Sequence, residues 1–159
     1  MAMTEVEKTI EVDVPVRTAY NQWTQFEEFP KFMEGVEDVR QTDDTHLHWR
    51  AKIGGRQEEW DAIINEQIPD QRITWHSIRG AENAGEVCFF PEGEMRTRVR
   101  LKLGYDPEGF IQNVGDKLGF VSRQVQDDLD HFKEFVESRG AETGSWRGEV
   151  HHGGTENRP

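Results

Sequence analysis

Residues 10–39, IEVDVPVRTAYNQWTQFEEFPKFMEGVEDV, decide the fold. Ile10, Val12 and Val14 alternate with Glu11 and Asp13, and the alternation runs back through Thr9, Glu7, Val6 and Glu5. Period two is the pattern of a half-buried strand, with Lys8 as its one discordant inward position. Pro15 ends the strand and suits the first turn of a helix, where its missing N–H costs nothing. Val16, Ala19, Tyr20 and Trp23 then fall at helical spacing. Phe26, Phe29, Phe32 and Met33 mark a second, shorter helical piece, interrupted by Pro30 and closed by Gly35. A strand resumes at Val36.

Downstream, the pattern predicts strands at 36–41, 46–53, 56–68, 71–78, 85–91 and 95–105. The breaks between them are short and carry turn residues: Thr42-Asp43-Asp44, Gly54-Gly55, Pro69-Asp70, the stretch 80–84 and Pro91-Glu92-Gly93. Short connections between successive strands imply an antiparallel meander. Ile111, Val114, Leu118, Val121, Val125, Leu129, Phe132 and Val136 then form one apolar stripe of a long helix, with Asp116, Asp127, Asp128, Asp130, Glu134 and Glu137 placed mostly off it. Gly115 and Gly119 weaken its first half and predict a kink or a close backbone approach. Gly140 ends it. Residues 140–159 lack periodicity and read as a flexible tail after a single domain of residues 1–139.

The whole chain is 159 residues with a formal charge of −12. Such an acidic surface repels nucleic-acid phosphates and anionic lipid headgroups. The single cysteine, Cys88, excludes an intrachain disulfide. The N-terminus is too charged for a signal peptide, and no apolar run approaches the roughly 20 residues that span a bilayer. The expectation is a soluble, cytoplasmic protein, monomeric or homodimeric, that binds no nucleic acid.

The order of strand, two short helices, six strands and one long helix, together with the wording of residues 10–39, HW before a Gly-Gly turn, EEWDAII, RITWHSIRGAENAGEVCFFP, LGYDP and DDLDHFKEF, resembles the START-like, or SRPBCC (polyketide cyclase/dehydrase-like), helix-grip superfamily. The resemblance covers about residues 4–138. It implies an α+β fold: a curved antiparallel seven-stranded sheet wrapped around the long C-terminal helix, with an apolar cavity between them. Members include cyclases, lipid and hormone carriers and quinone-binding proteins, so the frame alone does not choose an activity.

Within that frame, strand alternation gives an inward list. Leu47, Trp49, Ala51 and Ile53 share one face. Glu58, Trp60, Ala62 and Ile64 share the next, followed by Ile73, Trp75 and Ser77, by Val87 and Phe89, and by Met95, Thr97, Val99, Leu101 and Leu103. These sets are rich in tryptophan and poor in acids and bases. The candidate ligand-binding residues are Trp49, Trp60, Trp75, Ser77, Phe89, Glu58, Met33, Phe110, Val114 and Leu118. Ser77 or Glu58 would orient a polar group, and Phe110 would help shut the mouth against Phe29, Phe32 and Met33.

Other signals have plainer readings. Arg96, Arg98, Arg100 and Lys102 form a basic row that reads as cross-strand pairing with Glu5, Glu7, Glu11 and Asp13 rather than as a polyanion patch. His46 and His48 lie on one strand face without a third ligand nearby, so no metal site is expected. Cys88 has no recognisable partner for thiol catalysis. No Gly-rich phosphate loop is present, and no cofactor is expected. The expected function is binding of a hydrophobic or aromatic small molecule, lipid-, isoprenoid- or polyketide-like, in an internal cavity. One alternative is a polyketide cyclase, aromatase or dehydratase in which Glu58, Asp61 or His76 moves a proton. The other is a stress-associated protein-interaction module using the acidic helix and tail.

Overall fold

The period-two segments become the antiparallel strands of one curved sheet in a computed structural model, which describes residues 4–53, 56–106, 117–151 and 154–156. Strand β1 (Thr4–Val12) is followed by helix α1 (Val16–Trp23) and a short 3-10 helix (Phe26–Lys31). Strands β2 (Val36–Gln41), β3 (His46–Ile53), β4 (Arg56–Ile68), β5 (Arg72–Gly80), β6 (Asn83–Pro91) and β7 (Thr97–Tyr105) follow as a meander. Helix α2 (Lys117–Arg139) and two short strands, β8 (Glu149–His151) and β9 (Gly154–Glu156), complete the order. The sheet order is β1-β7-β6-β5-β4-β3-β2, so the first and last long strands are neighbours. This is the helix-grip arrangement: a seven-stranded antiparallel half-barrel holding a long C-terminal helix. Among the described residues no helix is long and apolar enough to cross a membrane.

The α2 stripe faces the sheet. Val121, Val125, Leu129, Phe132 and Val136 are all buried. Phe132 meets Trp23 at 4.9 Å and Phe32 at 5.5 Å between ring centroids, both edge-on. That edge-to-face geometry suits the ring quadrupoles, and each such buried aromatic contributes about 1.5–3 kcal/mol. Polar contacts fix the helix against β1. The Asp13 N–H donates to Glu137 Oε2 at 2.7 Å, and Lys133 Nζ donates to the Glu11 carbonyl at 2.9 Å. The predicted first turns of this helix, with Ile111, Val114 and the glycine kink at Gly115, lie outside the described residues.

The outer face of the sheet is a lattice of charges. Glu7 stands opposite Lys102 and Glu11 opposite Arg98. Lys102 pairs with Glu7 at 3.9 Å, and Arg96 reaches Asp13 at 3.5 Å. Arg98 and Arg100 turn instead to Glu92 and Glu86 on the other flank of β7. His46 bonds Asp43 at 2.9 Å, while His48 lies between Asp61 at 2.6 Å and Glu59 at 3.1 Å. Hydrogen bonds to these two carboxylates raise the His48 pKa above its ordinary value.

Two further features of the fold differ from expectation. Met95, read as an inward strand residue, is 64% exposed. The Glu92 N–H bonds the Arg96 carbonyl at 2.9 Å, so residues 92–96 close a loop and β7 begins only at Thr97. Residues 141–151, read as part of a flexible tail, pack onto α1 and β4. The Thr143 N–H donates to Gln22 Oε1 at 2.9 Å, the Trp146 N–H to Thr24 Oγ1 at 3.1 Å, and Val150, opposite Gln67 of β4, is fully buried. Arg147 bonds Asn21 Oδ1 at 2.6 Å and Asp70 Oδ2 at 2.8 Å, and lies over the Tyr20 ring at 5.5 Å. Burial pushes the Tyr20 hydroxyl up to about 12. Replacing Arg147 by alanine should therefore cost about 1–3 kcal/mol, since it strips bonds from partly buried Asp70 and Asn21. Urea unfolding reads this directly. A midpoint equal to wild type would mean that the segment adds nothing to stability.

Candidate ligand cavity

Between the inner face of the sheet, α1, the 3-10 helix and α2 lies a cavity of about 160 Å³. Its apolar walls include Trp23, Phe26, Phe29 and Met33 from the helical entry segment, and Leu47, Trp49, Ala51, Trp60, Ile64, Ile73 and Trp75 from β3, β4 and β5. Leu101 and Leu103 come from β7, and Phe120, Val121 and Val125 from α2. Trp49 and Trp60 are cross-strand partners. Their rings stack 5.7 Å apart at 12°. Trp75 lies across β6 at Gly85, its register partner, where any side chain would collide with the indole. A shallower groove of about 490 Å³ opens on the surface between the 3-10 helix and α2, with Lys31, Glu34, His131 and Glu134 among its walls. It lacks the aromatic enclosure of the inner cavity.

Of the residues expected to bind ligand, Trp49, Trp60, Trp75 and Met33 border the cavity. Phe89 is buried but packs behind it, against Tyr20 at 5.4 Å and Trp23 at 6.2 Å. The Ser77 hydroxyl accepts from the Asn83 N–H at 3.0 Å, and Asn83, not Ser77, reaches the wall. Glu58 is held by Arg56 at 2.9 Å and does not border the cavity. Phe110 and Val114 lie outside the described residues, as does the side chain of Leu118. The proton movers considered from sequence also turn away. Asp61 bonds His48 and Arg79 on the outer face, and His76 is exposed.

The sequence reading of a cavity nearly free of ionisable groups is corrected by α2. Asp128, counted there among the acids off the stripe, lines the cavity with Gln124 one turn before it. Gln124 Nε2 donates to Asp128 Oδ1 at 3.0 Å. Burial raises the Asp128 pKa from 3.8 to about 7, against the lowering effects of Gln124 and His131, while Asp127 and Glu34 add to the rise. Desolvation disfavours the carboxylate, and no Lys, Arg or His is among the described lining residues to offset it. The Trp49 indole N–H is also buried and finds no acceptor among the described residues. Cys88 lies on the other face beside Arg100. Burial pushes its thiol up, away from the thiolate that nucleophilic chemistry needs. Among the described residues no group of three or more His, Cys, Asp or Glu is placed to hold a metal.

The curved sheet, gripping helix and enclosed aromatic pocket define a cavity-bearing helix-grip protein. The chain belongs to the family described as polyketide cyclase/dehydrase and lipid transport, whose model matches residues 12–134. An uncharacterized 17.2 kDa protein from the melC2-rnhH intergenic region of Streptomyces lincolnensis is 53% identical over 149 residues, spanning 93% of this chain and 99% of that one. A protein of Deinococcus radiodurans of solved structure is similar at 27% identity and a TM-score of 0.68, covering 86% of this chain and 98% of that one. An aromatase/cyclase from a Streptomyces species shares the fold at a TM-score of 0.72 and 16% identity, covering 90% of this chain and 99% of that one.

Proposed function

We propose that this protein binds a small apolar or aromatic molecule in the cavity between sheet and α2, with Asp128 and Gln124 meeting its polar group. The observation that carries this reading is an aromatic enclosure whose polar wall, among the described residues, is one carboxyl and two amides. Size bears on the ligand. A dry cavity of roughly 150 Å³ holds benzene, whereas drug-sized ligands occupy about 300–1,000 Å³. At about 160 Å³, this cavity suits one or two fused rings in the conformation described, and a long polyketide or acyl chain would need it to open. The unmet Trp49 N–H supports a ligand that carries an acceptor as well.

A second reading, catalysis of a cyclase or dehydratase type, is favoured by Asp128 itself. A group that titrates near 7 inside an apolar pocket is suited to give and take a proton. Family membership supports either reading without choosing between them. The test is a thermal-shift and calorimetry panel of indole- and naphthalene-sized compounds on the wild type and on Ala51→Leu, which adds bulk to the wall. Stabilisation of the wild type that disappears in a folded Ala51→Leu is the expected result. No stabilisation by any ring compound would overturn the binding reading. Turnover of a cyclisable polyketone that is lost in Asp128→Asn would favour the second.

A further inference from the structure

We infer that the cavity selects an organic cation, a one- or two-ring aromatic carrying an ammonium group, held between Asp128 and the tryptophan walls. This rests on the ligand-binding reading above and goes further by fixing the charge of the ligand.

The described lining residues include one carboxyl, Asp128, and the amides of Gln124 and Asn83, with no basic side chain. Gln124 gives one N–H to Asp128 and the Asn83 side-chain amide gives one to the Ala81 carbonyl at 3.0 Å, and each of these neutral amides keeps its carbonyl oxygen as an acceptor. The amides and the Trp49 indole N–H are neutral, so the one formal charge the described wall can carry is the negative charge of Asp128, which calls for a cationic ligand head. An anion would meet an uncompensated carboxyl. A neutral ring would leave the carboxylate desolvated with the Gln124 amide as its donor, or oblige it to take up a proton, and either costs free energy at pH 8. An ammonium would pair with it, and the faces of Trp49, Trp60 and Trp75 would add cation–π attraction that is strongest where water is excluded. The groups acting on Asp128 from its surroundings are Gln124, His131 and Asp127 on α2 and Glu34 ahead of β2. Of these, His131 opposes a cation only when protonated, whereas Asp127 and Glu34 favour one.

The test uses three probes with one ring system: tryptamine, tryptophol and indole-3-acetate. On the full chain at pH 8, calorimetry is expected to show tryptamine binding at least roughly tenfold tighter than tryptophol, with no detectable binding of the acetate. As the pH falls from 8 to 5.5, the tryptamine preference should shrink, because Asp128 gains a proton while the amine stays charged. Asp128→Asn should abolish the preference, and a cooperative urea transition shows independently that the variant is folded. Equal affinity for tryptamine and tryptophol at pH 8, or a preference that survives Asp128→Asn, overturns the cation assignment and leaves the binding reading standing. Failure of every neutral ring and of tryptamine to bind overturns both.

Discussion

Gly85→Ala is expected to lower stability by about 1–3 kcal/mol and to abolish binding of ring compounds. Gly85 lies two residues before buried Val87, on the inner face of β6, and Trp75 is its cross-strand partner on β5. A Cβ at position 85 would overlap the six-membered ring of Trp75. The indole rests on bare backbone there, so it can move only away from the sheet, into the cavity. The indole would then occupy the space that a ligand needs, and neighbouring side chains would be forced from their rotamers. Urea unfolding reads the first effect and calorimetry the second. A double-mutant cycle with Trp75→Phe separates this collision from a general weakening of β6, because a smaller ring relieves the overlap and should give back part of the lost stability. Wild-type stability together with wild-type affinity in Gly85→Ala would mean that the indole does not lie over this residue in solution.

Gly85 also shows how far the sequence could be read. Strand alternation correctly separates Val87 from Glu86, and Trp75 from Thr74 and His76, so the side of the sheet each residue faces is legible. The register is not. Nothing in period two says that Trp75 meets a glycine, or that Trp49 stacks on Trp60, because those pairings depend on where each hairpin turns. The same limit explains the basic row. Opposite charge on β1 was readable, but β7 has two flanks, and Arg98 and Arg100 found their acids on the other one, at Glu92 just past β6 and at Glu86 within it. The segment 141–151 was illegible for another reason. It is tied down by amides, an arginine and backbone N–H groups that bond to α1 and Asp70, which leave no periodic signature, with Val150 as its buried apolar residue. Asp128 is different, because simple geometry reaches it. At about 100° per residue it falls roughly 60° from the centre of the stripe through Val125, whereas Asp127, Asp130, Glu134 and Glu137 fall beyond 90°. Treating the acids of α2 as one solvated face hid the one that is not.

That misplaced acid should dominate how stability responds to pH. The Asp128 carboxyl is raised from 3.8 to about 7 in the folded chain and returns to its ordinary value when unfolded. Between these values the native chain keeps a proton that the unfolded chain has released, so this group makes stability fall as pH rises from about 4 to about 7 and then level off. The full displacement corresponds to about 4 kcal/mol, and partial exposure of the side chain reduces it, so about 2–4 kcal/mol is expected. Other groups titrate across the same range. Glu28, Asp43 and Glu137 are lowered and add stability above their unfolded values, while His48 is raised and loses its contribution as pH rises through its folded value. All of these cancel in the difference between Asp128→Asn and wild type. That difference should be near zero at pH 4, open through the window and reach a net stabilisation by asparagine of about 2–4 kcal/mol at pH 8. A pH-independent difference would show that the native carboxyl titrates normally, facing water and not the cavity. A residue that costs the fold this much at neutral pH, where asparagine would fit the same space, is better explained by what it does for a bound molecule than by what it does for the scaffold.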